Sequence, residues 1–462
     1  MNDGMDMAMG RDLALLLPEI VAALTGVLAL VSGMIRRPRW ALPIVVAGLL
    51  LATALTVPLI GAETTIFMGT FRVDDLAVWA KLVLLPATVL SAVLADAEVR
   101  GTDREATVYS LLAFVTVGAL ALAGAGDVMF LVLGVLLSSL GTFALVAYPR
   151  DDRATEAAMK YFVFGAVSGA VMIFGLTFWF GGTGSTLLVD LIRLEAKPLP
   201  AAAGLVAVLV GLGYKAAIAP FHFWAPDAYD GGPVSIAAYL SVVTKIAAIF
   251  ALAAVVRNLP PDIGDWRLVV AALAVLSMTY GNLAALPQTN VVRLLAYSSI
   301  AQAGYFLLGA AALGRSDLAV QSLIVFAAAY AAMNLGAFAI ALGVGRDLAA
   351  FAGLGWSRPW AGAAMVVFLL SLVGVPPLAG FAGKLLLFGA AIDAGLTWLA
   401  VVAILNSVLS LAVYLRIIVP MYRVAAPVPA LIRPVAAVAG VALAATVAIG
   451  VGVELMTGLL TP

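Results

Sequence analysis

Apolar residues run along this chain in long blocks, without the alternation of a half-buried strand or the single apolar stripe of a soluble surface helix. A helix that crosses a bilayer needs about 20 mostly apolar residues. Blocks of that kind, separated by charged or Pro- and Gly-rich breaks, fall at 12–32, 41–60, 76–95, 107–124, 126–148, 157–180, 202–221, 233–256, 267–286, 294–313, 318–343, 361–391, 396–422 and 431–456. Fourteen spanning helices are predicted. A β-barrel would show short segments of alternating character instead. The first block is too long for the core of a cleaved signal, and no small-residue cleavage pattern follows it. The pattern predicts an all-α polytopic membrane protein, one integral membrane domain over 1–462 with no soluble domain.

Composition agrees and excludes much else. Of 462 residues, 64% are hydrophobic and 11% charged, and the mean hydropathy is +1.13. A soluble protein carries roughly a quarter charged residues. With no cysteine there is no disulfide scaffold, thiolate zinc site, iron–sulfur ligation or thiol catalysis in this chain. One histidine cannot build a histidine cluster for haem or metal, and zero net charge offers no basic surface for nucleic acid.

Basic residues give an orientation. Loops after odd-numbered helices carry Arg36, Arg37, Arg39, Arg100, Arg104, Arg150, Arg153, Arg293, Arg346, Arg358, Arg423 and Arg433. The other side carries Arg11, Arg72, Arg193, Lys197, Arg257, Arg267 and Arg315. Twelve against seven predicts cytoplasmic odd-numbered loops and an outside N-terminus.

Six basic residues remain inside the blocks: Lys81, Lys160, Lys215, Lys245, Lys384 and Arg416. A charge near the bilayer centre costs about 2.5–3.5 kcal/mol on insertion scales, so retaining several implies a polar interior. Lys81 and Lys160 lie near helix ends, where snorkelling competes with a functional reading. Lys215, Lys245 and Lys384 are deeper or lie beside helix breaks, and a row of buried lysines linked by water is able to pass protons. Carboxylates are sparse: Asp127, Glu156, Asp227 and Asp230 sit near helix ends, and Glu454 lies in the last span. Ser277, Asn282, Ser298, Ser299, Gln302, Asn334, Asn406, Ser407 and Tyr414 are candidates to hold water.

Two helices read as broken. PFHFWAPD, Pro220 to Asp227, places His222 between two prolines just after Lys215, as a proton relay or a capped turn residue. GVPPLAGFAGK, Gly374 to Lys384, puts Pro376 and Pro377 inside a long apolar block. Freed backbone carbonyls are tolerated at membrane depth only where protein or water satisfies them. Paired interruptions in two halves point to inverted-repeat transporters.

The stretch KAAIAPFHFWAPDAYDGGPVSIAAYLSVVTK, Lys215 to Lys245, resembles the antiporter-like membrane subunits of complex I and its relatives. EAAMKYFVFGAVSGAVMIFGLTFWFGGTGS (Glu156 to Ser185), RLLAYSSIAQAGY (Arg293 to Tyr305), Val373 to Arg416 and the opening LLPEIVAAL (Leu16 to Leu24) narrow the resemblance. They are similar to the subunit N type of the proton-translocating NADH:quinone oxidoreductase. The resemblance implies three leading helices over about 12–95, inverted five-helix repeats over about 107–256 and 267–422, and a last helix over about 431–456. It implies broken helices 7 and 12. It makes Lys215 the central lysine of helix 7, Lys245 the connecting lysine of helix 8, Lys384 the terminal lysine of helix 12 and Lys160 the lysine of helix 6. It also implies neighbouring antiporter-like subunits in the membrane arm of a bacterial inner-membrane complex. NADH, FMN, iron–sulfur clusters and quinone then belong to partner subunits, with no cofactor or metal in this chain.

Three positions depart from the family's pattern. Leu136 stands where a fifth-helix glutamate usually faces the central lysine, Thr107 (with Glu105 nearby) where a fourth-helix glutamate is usual, and Gln302 at a tenth-helix histidine. Lys215 is therefore expected to lack its usual counter-charge, and the altered module to work through Glu156, Lys160 or a partner subunit's carboxylate. A subunit of a multisubunit cation/proton antiporter, or of a ferredoxin- or hydrogenase-linked relative, is the alternative reading.

Overall fold

The computed structural model describes residues 2–260, 265–423 and 426–460. Thirteen helices among them are long and apolar enough to cross a membrane. In chain order they are Leu17–Met34, Pro38–Leu59, Asp75–Val99, Glu105–Ala123, Val128–Val146, Asp152–Thr183, Pro198–Ala216, Val234–Val256, Trp266–Ala285, Val291–Ala312, Leu318–Val344, Thr397–Arg423 and Arg433–Val451. One further predicted block, 361–391, is present as two shorter helices, Pro359–Val373 and Ala379–Asp393. Counting that pair as the twelfth span, every predicted block has its helix, and the spans are numbered so below. Beyond the helices there is a small antiparallel hairpin, Thr64–Ile66 with Phe71–Val73, in the loop between spans 2 and 3.

Helix starts coincide with the few polar residues at block edges. The Asp74, Asp127, Asp151 and Asn290 side chains accept from Ala77, Phe130, Ala154 and Arg293 backbone N–H groups, satisfying donors that a helix start leaves free. Asp151 explains why span 6 begins at Asp152, ahead of the apolar block expected at 157. The cap and the polar turn DRATE extend the helix past its hydrophobic part.

Spans 8 and 11 run through the middle of the bundle, and span 8 is buried throughout. Small residues let the backbones close on each other. A Cβ on Gly118 would lie 2.5 Å from the backbone N of Ser138, and one on Gly281 2.6 Å from that of Ala301. Spans 2, 6 and 14 keep most of their surface on the outside of the bundle, where apolar side chains face lipid.

Candidate functional site

Span 7 stops in mid-course. Pro198–Ala216 ends with Ala217 in the left-handed region (φ 54°), and the chain resumes helix only at Trp224–Gly231. Lys215 lies in the last turn before the break and is 1% exposed. Its Nζ donates to Ser139 Oγ of span 5 at 2.9 Å. From span 8, Lys245 Nζ donates to the backbone oxygen of Ala216 at 2.5 Å. A helix C-terminus carries unpaired carbonyls and partial negative charge. Here a buried ammonium meets them.

The second break repeats this chemistry. Pro359–Val373 ends at Gly374 (φ 97°) and Ala379–Asp393 follows. Lys384, buried in the second half, donates from Nζ to the backbone oxygens of Leu372 and Val373 at 2.9 and 3.0 Å. It also donates to Ser407 Oγ at 3.1 Å and sits 3.9 Å from the centre of the Tyr305 ring. Tyr305 and Ser407 hydroxyls lie 3.0 Å apart. Gln302 Nε2 donates to Leu372 O at 3.1 Å and reaches the Tyr414 hydroxyl at 3.4 Å, and Tyr414 lies 2.5 Å from Ser298 Oγ. Nearer the centre, Asn334 Nδ2 donates to Ser241 Oγ of span 8 at 2.7 Å and to the Tyr330 hydroxyl at 3.2 Å. Asn282 Nδ2 reaches Asn406 Oδ1 at 3.2 Å, and Ala219 N donates to Ser277 Oγ at 3.0 Å. Of the amides and hydroxyls singled out in the sequence, Ser277 bonds at the first break, Gln302 and Ser407 at the second, and Tyr414 and Ser298 join the second through Gln302.

His222 occupies the first break. It is buried, neither ring nitrogen has a hydrogen-bond partner among the described residues, and its ring centre lies 4.5 Å from that of Tyr280. Its nitrogens do not cap the turn.

Lys160 and Glu156 belong to a separate, wetter group at one end of the bundle. Glu156 lies 2.8 Å from Lys160, with their side chains 68% and 45% exposed. Lys160 also lies 3.0 Å from Asp227, whose other oxygen accepts from Arg293 at 2.8 Å. Asp230 pairs with Arg153 at 2.5 Å and accepts from Asn290 at 2.8 Å. Arg153, Glu156, Lys160, Asp227, Asp230 and Arg293 line a cleft of about 200 Å³. Opposite charges so arranged are cheap to keep near an interface.

Sequence reasoning left Lys81 between snorkelling and function. The structure places it fully inside, with Nζ 2.7 Å from Glu19 Oε1 of span 1. Leu136 is 45% exposed on the outer face of span 5, and no Asp or Glu among the described residues pairs with Lys215. The lysine's side-chain partner, Ser139, is not singled out by the sequence, because one serine in an apolar block is unremarkable. Thr107 faces outward, and Glu105 accepts from Gly101 N at 2.9 Å. Arg416 lies partly buried on span 13, and its buried Nη1 has no hydrogen-bond partner among the described residues.

Broken spans with buried ammonium groups on their freed carbonyls define an ion-translocating, antiporter-like class of membrane protein. The chain belongs to the NADH:quinone oxidoreductase/Mrp antiporter transmembrane family, whose model matches residues 125–410. It is 39% identical to NADH-quinone oxidoreductase subunit N 1 of Streptomyces griseus, over 97% of this chain and 98% of the relative. It is 36% identical to F(420)H(2) dehydrogenase subunit N of Methanosarcina mazei, over 93% and 95%. It superposes on a chain of respiratory complex I from Thermus thermophilus with bound aureothin at a TM-score of 0.83 and 31% identity, covering 96% of this chain and 99% of that one. The chain carries no cysteine, and no group of three His, Asp or Glu that could hold a metal occurs among the described residues.

Proposed function

We propose that this chain is an antiporter-like membrane subunit, of the subunit N type, in an NADH:quinone oxidoreductase. It moves protons through a buried lysine and water path, coupled to quinone reduction by other subunits. The observation that carries the reading is the repeated arrangement at the breaks: Lys245 on Ala216 O, and Lys384 on Leu372 O and Val373 O. Lys215, Lys245 and Lys384 hold the exchanging protons. His222 bridges the first break, and Lys160 with Glu156 delivers protons at the charged end. The two breaks belong to inverted five-helix repeats, about 107–256 and 267–422, preceded by three helices and followed by one. NADH, FMN, iron–sulfur clusters and quinone reside in partner subunits, beside neighbouring antiporter-like chains. The complex lies in a bacterial inner membrane with the N-terminus of this chain outside. The likeness to the F(420)H(2) dehydrogenase relative favours a second reading, in which an electron donor other than NADH feeds the same proton path.

The test uses the assembled complex in sealed vesicles. Lys215→Met and Lys384→Met are expected to lower protons moved per NADH oxidised, by an amount approaching this subunit's whole share, with the complex still assembled. Unchanged stoichiometry in both variants would overturn the reading.

A further inference from the structure

The partner of Lys215 is the feature that the proposed function leaves unexplained. An ammonium buried in the middle of a bundle is costly unless polar atoms surround it. Lys245 and Lys384 take backbone oxygens at the helix breaks, with Ser407 Oγ added at Lys384, whereas the hydrogen bond that the Lys215 ammonium makes is to a side chain alone, Ser139 Oγ, at 2.9 Å. Among the described residues no carboxylate forms an ion pair with it.

The position of Ser139 is built from both sides. Span 5 packs on span 4 through small residues: a Cβ on Gly134 would come within 2.7 Å of the Leu122 backbone N, and one on Gly141 within 2.4 Å of Val115. Gly118 of span 4 closes on Ser138 in the same way. At 100° per residue, positions 134, 138 and 141 share the face toward span 4. Leu136 then points away from span 4, outward, and Ser139 turns toward span 7. Behind Ser139, Thr142 Oγ1 donates to the Ser139 backbone oxygen at 2.7 Å and lies 3.1 Å from the Tyr161 hydroxyl. Tyr161 is wedged by Trp224, 4.2 Å between ring centres, and its backbone oxygen accepts from the Tyr214 hydroxyl at 2.8 Å. Trp224 and Tyr214 flank the break itself. The turn carrying Ser139 is thus clamped to both halves of span 7.

We propose that Ser139 is the positioning residue of Lys215: its neutral hydroxyl, carried on a helix turn whose backbone Thr142 and Tyr161 hold, fixes the lysine for proton exchange in place of a carboxylate. The inference rests on the proton-transfer role given to Lys215 above. A neutral acceptor holds the nitrogen without tying it to a fixed counter-charge, so the lysine's protonation follows the fields of neighbouring charged groups.

Thr and Val have the same shape and differ by one hydroxyl, so Ser139→Thr and Ser139→Val separate the hydrogen bond from packing. Ser139→Ala removes only the oxygen. Each is placed in the assembled complex in vesicles beside Lys215→Met, with complex content measured in the same membranes. Loss of a hydrogen bond to a charged group predicts proton transfer through this subunit reduced about tenfold in the Val and Ala variants, with the Thr variant restoring most of it. Equal pumping by the Thr and Val variants, or an Ala variant that pumps as the parent does, overturns the role of Ser139. If Lys215→Met stops pumping in that case, the proposed function survives and this inference alone fails. If Lys215→Met itself pumps normally, this inference fails with the role given to Lys215, and the proposed function fails with it if Lys384→Met also pumps normally.

Discussion

Six lysines occur in the chain and four of them, Lys81, Lys215, Lys245 and Lys384, are buried among apolar helices. Their presence was legible in the sequence because charge inside an apolar block is costly, so each survivor marks a compensating environment. The compensation itself was not legible. Lys245 and Lys384 use backbone oxygens, which no residue name reveals, and Lys215 uses one serine among many. Lys81 uses Glu19, which lies in the opening block and is brought alongside only by the packing of span 1 on the helices that follow. That pair makes a stability prediction. Removing one member of a buried pair strands the other, at a cost of about 3–5 kcal/mol, whereas replacing both with apolar residues of similar volume is close to neutral. Glu19→Gln and Lys81→Met are each expected to lower the melting temperature of the detergent-solubilised protein, and the double variant Glu19→Leu/Lys81→Met to recover most of it. Additive losses would show that the two side chains do not depend on each other.

At the scale of elements, the breaks in spans 7 and 12 announce themselves through proline between apolar runs, whereas the close fit of the half-helices does not. Gly380 opens the second half of span 12. Its N–H donates to Ser371 Oγ at 2.9 Å, and a Cβ there would fall 1.7 Å from the Ser371 backbone oxygen. Since that neighbour is backbone, Gly380→Ala forces the half-helices apart, and overpacking of this kind costs about 1–3 kcal/mol. The carbonyls of Leu372 and Val373 move with them, so the Ala variant is expected to lose both thermal stability and proton transfer. Normal pumping at unchanged stability would show that the join is not tight. The hairpin before span 3 gives a pH prediction. Burial alone would raise the Asp74 carboxyl, but Arg72, 2.5 Å away, and Arg257 hold it below the usual carboxylate range. A depressed native value means that the ionised Asp74 contributes stability in full above its unfolded value, and that the contribution is lost as pH falls through the native one. Asp74→Asn keeps the helix cap and removes only the charge. The variant is expected to melt lower than the parent at neutral pH, with the difference shrinking as the pH is taken into the acid range. A difference independent of pH would assign the effect to something other than the charge.

On the scale of the whole molecule, the polar contacts sort the loops into two sets. Arg153 meets Asp230, Arg293 meets Asp227, Arg346 donates to Gly232 O at 2.8 Å, Arg104 to Tyr148 O and Arg358 to Val428 O. All of these follow odd-numbered spans or end them. At the other end Arg72 reaches Ala123 O and Ala125 O, Arg257 meets Asp74, and Ser316 reaches Asp393, all in even-numbered connections. The alternation read from apolar blocks therefore becomes a physical division of the molecule, because a helix that spans must deliver its ends to opposite faces. By the positive-inside rule, the excess of arginine on the odd set predicts that this face is the cytoplasmic one. The absence of native cysteine makes this chain suited to labelling with a membrane-impermeant maleimide. Asp103, whose side chain is 82% exposed between spans 3 and 4, and Met68, 95% exposed between spans 2 and 3, report the two faces. In right-side-out vesicles Met68→Cys is expected to react and Asp103→Cys to stay protected until the membrane is opened, and inverted vesicles should exchange the two results. The reverse pattern would put the arginine-rich end, with Lys160 and Asp227, on the outside. The charged cleft would then release protons instead of admitting them, and the direction of transfer through Lys215 and Lys384 would be reversed with it.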